Sequence, residues 1–285
     1  MMGGSVINTN LFSLRHTFES GQPLTFFADY NRSRNAISYQ EGNSMFDIKM
    51  VGSAEKGRLV LNAGKADGVR RRFRLDDDMQ GIYGRINTDP FMDRAIRRYS
   101  GMRLTVNDPW ETTLVFIISQ LNNLKRIRLI TRNIIERFGT PIKDEDGRVV
   151  ARSFPTSEDL MEATEKELRE CNAGFRDKYI RSAAEYCTNN LDLYRLRGKS
   201  YHALKEELMT ISGVGDKVAD CIALMGYGRL EAFPIDVWVK RTLERIYFKG
   251  RKRPVKQLHR FVDERFGDMK GYAQQYIFWG GRMMA

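Results

Sequence analysis

Cysteine and histidine are scarce in this chain. Cys171, Cys187 and Cys221 are the only cysteines, and no two form a CxxC pair. That leaves no set for a four-cysteine iron–sulfur cluster or a cysteine-based structural zinc site, and the odd number argues against a disulfide scaffold. His16, His202 and His259 are the only histidines, and none sits in an HxE or HExxH context. Metal-activated water chemistry is therefore not expected. Long apolar runs are also missing. Residues 113–118 form one of the longest, far short of a membrane span. The opening Met1-Met2-Gly3-Gly4-Ser5 lacks a basic stretch followed by an apolar core, so no export signal and an intracellular protein are expected. Internal repeats and low-complexity tracts are absent. Acidic residues are outnumbered, 36 against 47 lysines and arginines, for a net charge of +11. A polyanionic partner follows, nucleic acid ahead of an anionic membrane.

At 285 residues the chain exceeds the usual size of a single core. Its first 80 residues read as β-rich. Leu24-Thr25-Phe26-Phe27-Ala28, residues 45–51, residues 57–61 and residues 69–75 alternate with period two between Gly, Asn and Asp turns. Helical signals follow. Asp108-Pro109 is an N-cap with proline at the first helical position. Residues 122–138 read as a largely buried helix ending at Gly139. Asp144-Glu145-Asp146-Gly147 reads as a turn, Ser157 as the cap of a helix to about Cys171, and Gly174 as the start of the next. The expected class is α+β: an antiparallel β domain over 1–105, then a helical region over 106–285 with a hairpin at about 204–226. Lys249-Gly250-Arg251-Lys252-Arg253 reads as a solvated surface loop.

The hairpin carries the chemistry. Leu204, Leu208 and Ile211 follow helical spacing, Ser212-Gly213 breaks the helix, and Val218, Cys221, Ile222 and Met225 form the apolar face of a second one. Gly213, Val214 and Gly215 let backbone amides at that helix's N-terminus approach a phosphate; an ordinary turn between helices would use the same glycines. Lys217 lies in the first turn, where the helix dipole disfavours a cation. A lowered pKa and a larger neutral fraction are expected, as a nucleophile needs. Charge placement leaves open a phosphate-binding surface lysine, or one paired with Asp220 at i+3. Cys221, at i+4, shares its face. Asp236 precedes Val239, Leu243 and Ile246 and reads as an N-cap; a carboxylate held by helix amides stays ionised and can face developing positive charge on a sugar.

The stretch from Ile211 to Asp236 resembles the helix-hairpin-helix Gly/Pro-Asp superfamily of base-excision DNA glycosylases, and GVGDKVADC followed by FPID resembles its 8-oxoguanine branch. Gly21-Gln22, Asp108-Pro109, Asn122-Asn123, Gly174-Phe175-Arg176 and residues 271–278 extend the likeness over most of the chain. The resemblance implies a bifunctional DNA glycosylase and abasic-site lyase acting on double-stranded DNA containing 8-oxoguanine, with Lys217 as nucleophile and Asp236 as its partner. It implies that the Gly21 carbonyl accepts the N7–H that distinguishes 8-oxoguanine from guanine. It also implies that Gln274 reads the Watson–Crick edge, that Phe278 and Cys221 cover the two faces, and that Pro234 and Met225 line the pocket. Phe175 matches the wedge that fills the gap left by the flipped nucleotide. Arg126 and Arg176 match positions that read the orphaned cytosine, and Asn122 and Trp238 fall on the DNA side.

No cofactor is implied beyond a structural monovalent or divalent cation on the Met209, Ile211 and Val214 carbonyls. The protein is expected to act as a monomer, in the cytoplasm or nucleoid of a prokaryote or the nucleus of a eukaryote. Two positions depart from the pattern. Leu121 replaces an asparagine that contacts the opposite cytosine, which implies a weaker preference for cytosine. Trp238 stands where the eukaryotic branch has a histidine near the phosphate, which puts that contact in doubt and points to a prokaryotic subgroup. Other readings are a glycosylase of the same superfamily for another damaged base, or a non-catalytic hairpin protein. The latter needs no combination of Lys217, Asp236, Gln274 and Phe278.

Overall fold

The computed structural model describes residues 5–41, 44–62 and 66–284. The stretch Met1 to Gly4, part of the segment expected to lack an export signal, lies outside them. Among the described residues no helix is long and apolar enough to cross a membrane.

The chain opens with β1 (Val6–Asn10), α1 (Leu14–Glu19), α2 (Leu24–Phe27), β2 (Asp29–Asn31), β3 (Ala36–Glu41), β4 (Ser44–Gly52), β5 (Lys56–Leu61) and α3 (Ala66–Arg72). The five strands form one antiparallel sheet in the order β1-β5-β4-β3-β2. One of its faces is buried by Ile7, Ile37, Tyr39, Ile48, Leu59 and Leu61, with Phe12, Leu14, Val69 and Phe73 closing over it.

Two expected strands are helices. Leu24-Thr25-Phe26-Phe27 forms the short α2 after Pro23, whose own backbone is already helical. Residues 69–75 fall in α3 and the turn beyond it. The buried positions there are Val69, Arg72 and Phe73, a helical spacing rather than an alternation. An arginine on the buried side concealed that period. Arg72 is held by Asn107 at 3.4 Å and lies over the Tyr39 ring at 4.9 Å.

Helices dominate the remainder. α4 (Met79–Ile86), α5 (Pro90–Arg98), α6 (Pro109–Ser119) and α7 (Leu124–Phe138) lead to a small hairpin of β6 (Pro141–Lys143) and β7 (Val149–Arg152). Then come α8 (Ser157–Met161), α9 (Glu165–Glu170), α10 (Asp177–Asn189), α11 (Tyr201–Leu208), α12 (Asp216–Tyr227), α13 (Val237–Tyr247), α14 (Val255–Phe266) and α15 (Lys270–Met283). Asp108 caps α6 through Trp110 and Glu111 amides, with Pro109 at its start. Every residue from Pro109 to Ile118 is buried, so α6 is the central rod of the helical core. α4 and α5 pack into this same core. The single helix expected from Ser157 to Cys171 is two, because Thr156 and Thr164 each form a capping box. α7 is less buried than its sequence indicates, with Leu129 turned to solvent. Gly174 opens a short 3-10 turn before α10.

Candidate active site

Five chain segments meet around one cavity of about 180 Å³. Gly21 comes from the turn after α1, Phe116 and Asn122 from the end of α6 and its following loop, and Lys217, Cys221 and Met225 from α12. Pro234, Asp236, Trp238, Gln274 and Phe278 complete the wall. A larger open groove of about 910 Å³, beside Trp110 and Tyr194, holds neither Lys217 nor Asp236.

The hairpin holds the lysine on the cavity wall. Gly213 adopts φ +85, and a Cβ there would press on the Tyr179 ring at 3.1 Å. Its carbonyl accepts the Gln120 side-chain amide at 3.0 Å. Gly215 is the N-cap of α12 and offers no side-chain acceptor, so the first amides of that helix stay available to an anion. The Lys217 ammonium lies 5.5 Å from the centre of the Phe116 ring. Phe116 is a wall residue that its sequence hides, since it reads as one more apolar position in α6.

Lys217 does not pair with Asp220. Asp220 is buried, and its Oδ1 accepts from the Tyr201 hydroxyl at 2.5 Å and the Lys205 ammonium at 2.9 Å. Lys205 also pairs with Asp216 at 2.8 Å. Ligand atoms of Asp216, Asp220 and His259 lie within 4.8 Å of one another, with the Lys205 ammonium as the cation between the two carboxylates.

The lowered lysine pKa expected from the helix dipole is not found. Burial opposes the charge of Lys217, but Cys221 and Asp236 act the other way and hold its pKa above the ordinary lysine value. Burial pushes the Cys221 thiol up to about 11, so near neutral pH it is uncharged and Asp236 is the group that favours the ammonium. Asp236 is fixed as expected: its Oδ1 accepts the Val239 amide at 2.7 Å and caps α13.

Fixed polar and aromatic groups make up the rest of the wall. Gly21 has φ +75, and a Cβ on it would sit 3.4 Å from the edge of Phe278. Gln22 anchors that turn: its amide donates to the Arg103 carbonyl at 2.9 Å and its carbonyl accepts the Thr105 amide at 2.8 Å. Gln275 donates to the Ser20 carbonyl at 3.0 Å, tying α15 to the same turn. Gln274 donates to the Pro234 carbonyl at 3.1 Å, while its Oε1 is buried without a hydrogen-bond partner among the described residues. A buried acceptor in that state favours a ligand with an N–H donor. Met225 is held through its carbonyl by the Asn107 amide at 2.7 Å.

Beside the cavity, Leu121, Asn122, Arg126, Phe175 and Arg176 line a shallow depression. Phe175 is half exposed and Leu121 is 92% exposed with φ +48, a strained conformation for leucine. Arg126 is exposed, but Arg176 is turned inward. Its guanidinium donates to the carbonyls of Gln120 (2.9 Å), Leu121 (3.1 Å) and Ala173 (3.2 Å). Arg176 therefore braces the strained loop and is not free for a base in this state. At the hairpin, the Ile211 carbonyl accepts the Val214 amide at 2.9 Å, while no hydrogen bond fills those of Met209 and Val214 among the described residues.

Known proteins resemble this chain over most of its length. The Saccharomyces cerevisiae N-glycosylase/DNA lyase is 30% identical over 281 residues, covering 90% of this chain and 74% of that protein. The structure of MBOgg1 in complex with a low-affinity DNA ligand superposes with a TM-score of 0.90 at 32% identity, covering 100% of this chain and 97% of the other. The apo-form of Clostridium acetobutylicum 8-oxoguanine glycosylase/lyase gives 0.86 at 28% identity, covering 98% and 96%. Residues 114–267 match the HhH-GPD superfamily of base excision DNA repair proteins, and the chain belongs to that family.

Proposed function

We propose that the protein is a bifunctional DNA glycosylase and abasic-site lyase that excises 8-oxoguanine from duplex DNA. The observation that carries this reading is the convergence of Lys217, Asp236 and the unpartnered Gln274 acceptor on one small cavity with Phe278 and the Gly21 turn. The damaged nucleotide leaves the stack and enters that cavity. Its base lies between Phe278 and Cys221. The Gln274 Oε1 accepts from the Watson–Crick edge, and the Gly21 carbonyl accepts the N7–H that guanine lacks.

The Lys217 ammonium gives one proton to solvent; its nitrogen lone pair then attacks C1′ as the bond to the base breaks, and a second proton from that nitrogen leaves with the base. Asp236 faces the positive charge that develops on the sugar. Opening of the sugar gives a Schiff base. Loss of a C2′ proton then expels the 3′ phosphate by β-elimination and nicks the strand.

DNA is held at the hairpin turn Gly213-Val214-Gly215 through the amides that the turn leaves free; the Val214 amide itself is taken by the Ile211 carbonyl. Phe175 fills the space the extruded base leaves, with Asn122, Arg126 and Trp238 along the backbone. The Met209, Ile211 and Val214 carbonyls would hold a monovalent or divalent cation, which would strengthen this grip. No cofactor enters the chemistry, and the enzyme acts as a monomer. Repair of DNA places it inside the cell: in the nucleoid of a prokaryote or the nucleus of a eukaryote. The test is incubation with a duplex carrying one 8-oxoguanine. Release of the base and a nick at its site are expected. Intact DNA after prolonged incubation with excess enzyme would refute the reading.

A further inference from the structure

At the mouth of the cavity the Arg282 cation has no anionic partner among the described residues. The Arg282 guanidinium carbon lies 4.9 Å from the centre of the Trp238 ring, and both side chains line the cavity with Lys217 and Asp236. Among the described residues no carboxylate pairs with Arg282 and no carbonyl accepts from it. Trp238 is 43% exposed, at the start of α13 next to Asp236. Arg241 approaches the same ring at 5.8 Å but does not line the cavity.

An indole presents only a neutral N–H and cannot itself neutralise a phosphate. A guanidinium lying on the indole keeps its N–H edge free, and the stacking limits its rotamers before any ligand arrives. Such a planar fork matches two phosphate oxygens. We propose that Arg282, braced on Trp238, grips a phosphate flanking the extruded nucleotide and thereby sets C1′ against Lys217. Arg282 is a positioning residue, not a catalytic one, and the assignment rests on the nucleotide-flipping reading above.

The test pairs a protein change with a single neutral linkage in the DNA. Binding is measured to a duplex carrying a stable tetrahydrofuran abasic site, so the result stands whichever damaged base is the substrate. Each phosphate flanking that site is replaced in turn by a methylphosphonate. At one of them the wild type should lose about tenfold in affinity, while Arg282→Ala should already be weakened and lose nothing further there. The salt slope of Arg282→Ala should fall by about one phosphate contact. Trp238→Ala should lose most of the effect and Trp238→Phe little of it, and Arg241→Ala should stay as sensitive as the wild type. An equal loss in wild type and Arg282→Ala at every linkage would overturn the proposal, as would no loss in either. If the wild type shows the predicted coupling but releases no 8-oxoguanine, the substrate reading fails and the phosphate grip stands.

Discussion

Asp236 has two tasks at one position. It caps α13 through the Val239 amide, and it is the charge that favours ammonium on Lys217. A lysine whose pKa is raised is mostly protonated at neutral pH, so the step that uses its lone pair accelerates as pH rises. Single-turnover excision should therefore climb with pH through the neutral and alkaline range. Removing the carboxylate removes a cause that raises the lysine pKa. Asp236→Asn should move the ascending limb to lower pH while lowering the rate at every pH by about 100-fold, the scale of a lost electrostatic contact to a transition state. An ascending limb that stays in place in Asp236→Asn would contradict this coupling. Gly21 makes a second prediction. At φ +75 an L-residue costs about 1–2 kcal/mol, and the new Cβ would meet Phe278 at 3.4 Å. Gly21→Ala should lower kcat/KM for the lesion duplex by tenfold or more, mainly through KM. Unchanged kinetics would separate this turn from the base.

Among the elements, the loop between α6 and α7 carries a strained residue beside the cavity. Leu121 sits at φ +48 with its side chain in solvent, held by Arg176 through three backbone carbonyls. Replacing Arg176 by Met leaves the Gln120 and Leu121 carbonyls without their guanidinium donor and should cost about 2 kcal/mol. That corresponds to a drop in Tm of roughly 4–8 °C, read by calorimetry. Leu121 offers no polar group to an orphaned base, so excision should depend weakly on the base opposite the lesion. Asparagine tolerates the same backbone conformation, and Leu121→Asn should shift the preference toward cytosine without loss of Tm. Strict cytosine dependence in the wild type would remove this argument.

These elements also show where sequence is informative. The Asp108 and Asp236 caps, the hairpin break and the strands over 45–51 and 57–61 are readable because each rests on local chemistry: a side-chain acceptor, a glycine or an alternating pair. α2 and α3 are not, since Phe26 and Phe73 fit either period and only tertiary packing selects the helix. The inward turn of Arg176 and the wall position of Phe116 are settled by segments distant in sequence, and no local pattern carries them.

At the scale of the molecule, the N-terminal sheet domain does more than stand beside the helical core. Its turn at Gly21 is fixed by Gln22 from one side and by Gln275 of α15 from the other. One part of the cavity wall is thus assembled from the two ends of the chain, while the hairpin contributes Lys217. The hairpin motif alone points only to contact with a DNA backbone, and the proposed reaction rests on the cavity as a whole. In the proposed reaction Lys217 becomes covalently joined to DNA. Borohydride added during turnover of an 8-oxoguanine duplex should reduce the Schiff base and trap one protein per strand, with peptide mapping placing the adduct on Lys217. Lys217→Gln should bind the duplex yet give neither adduct nor nick; trapping that persists in that variant, or a wild type that nicks without ever being trapped, would contradict the account.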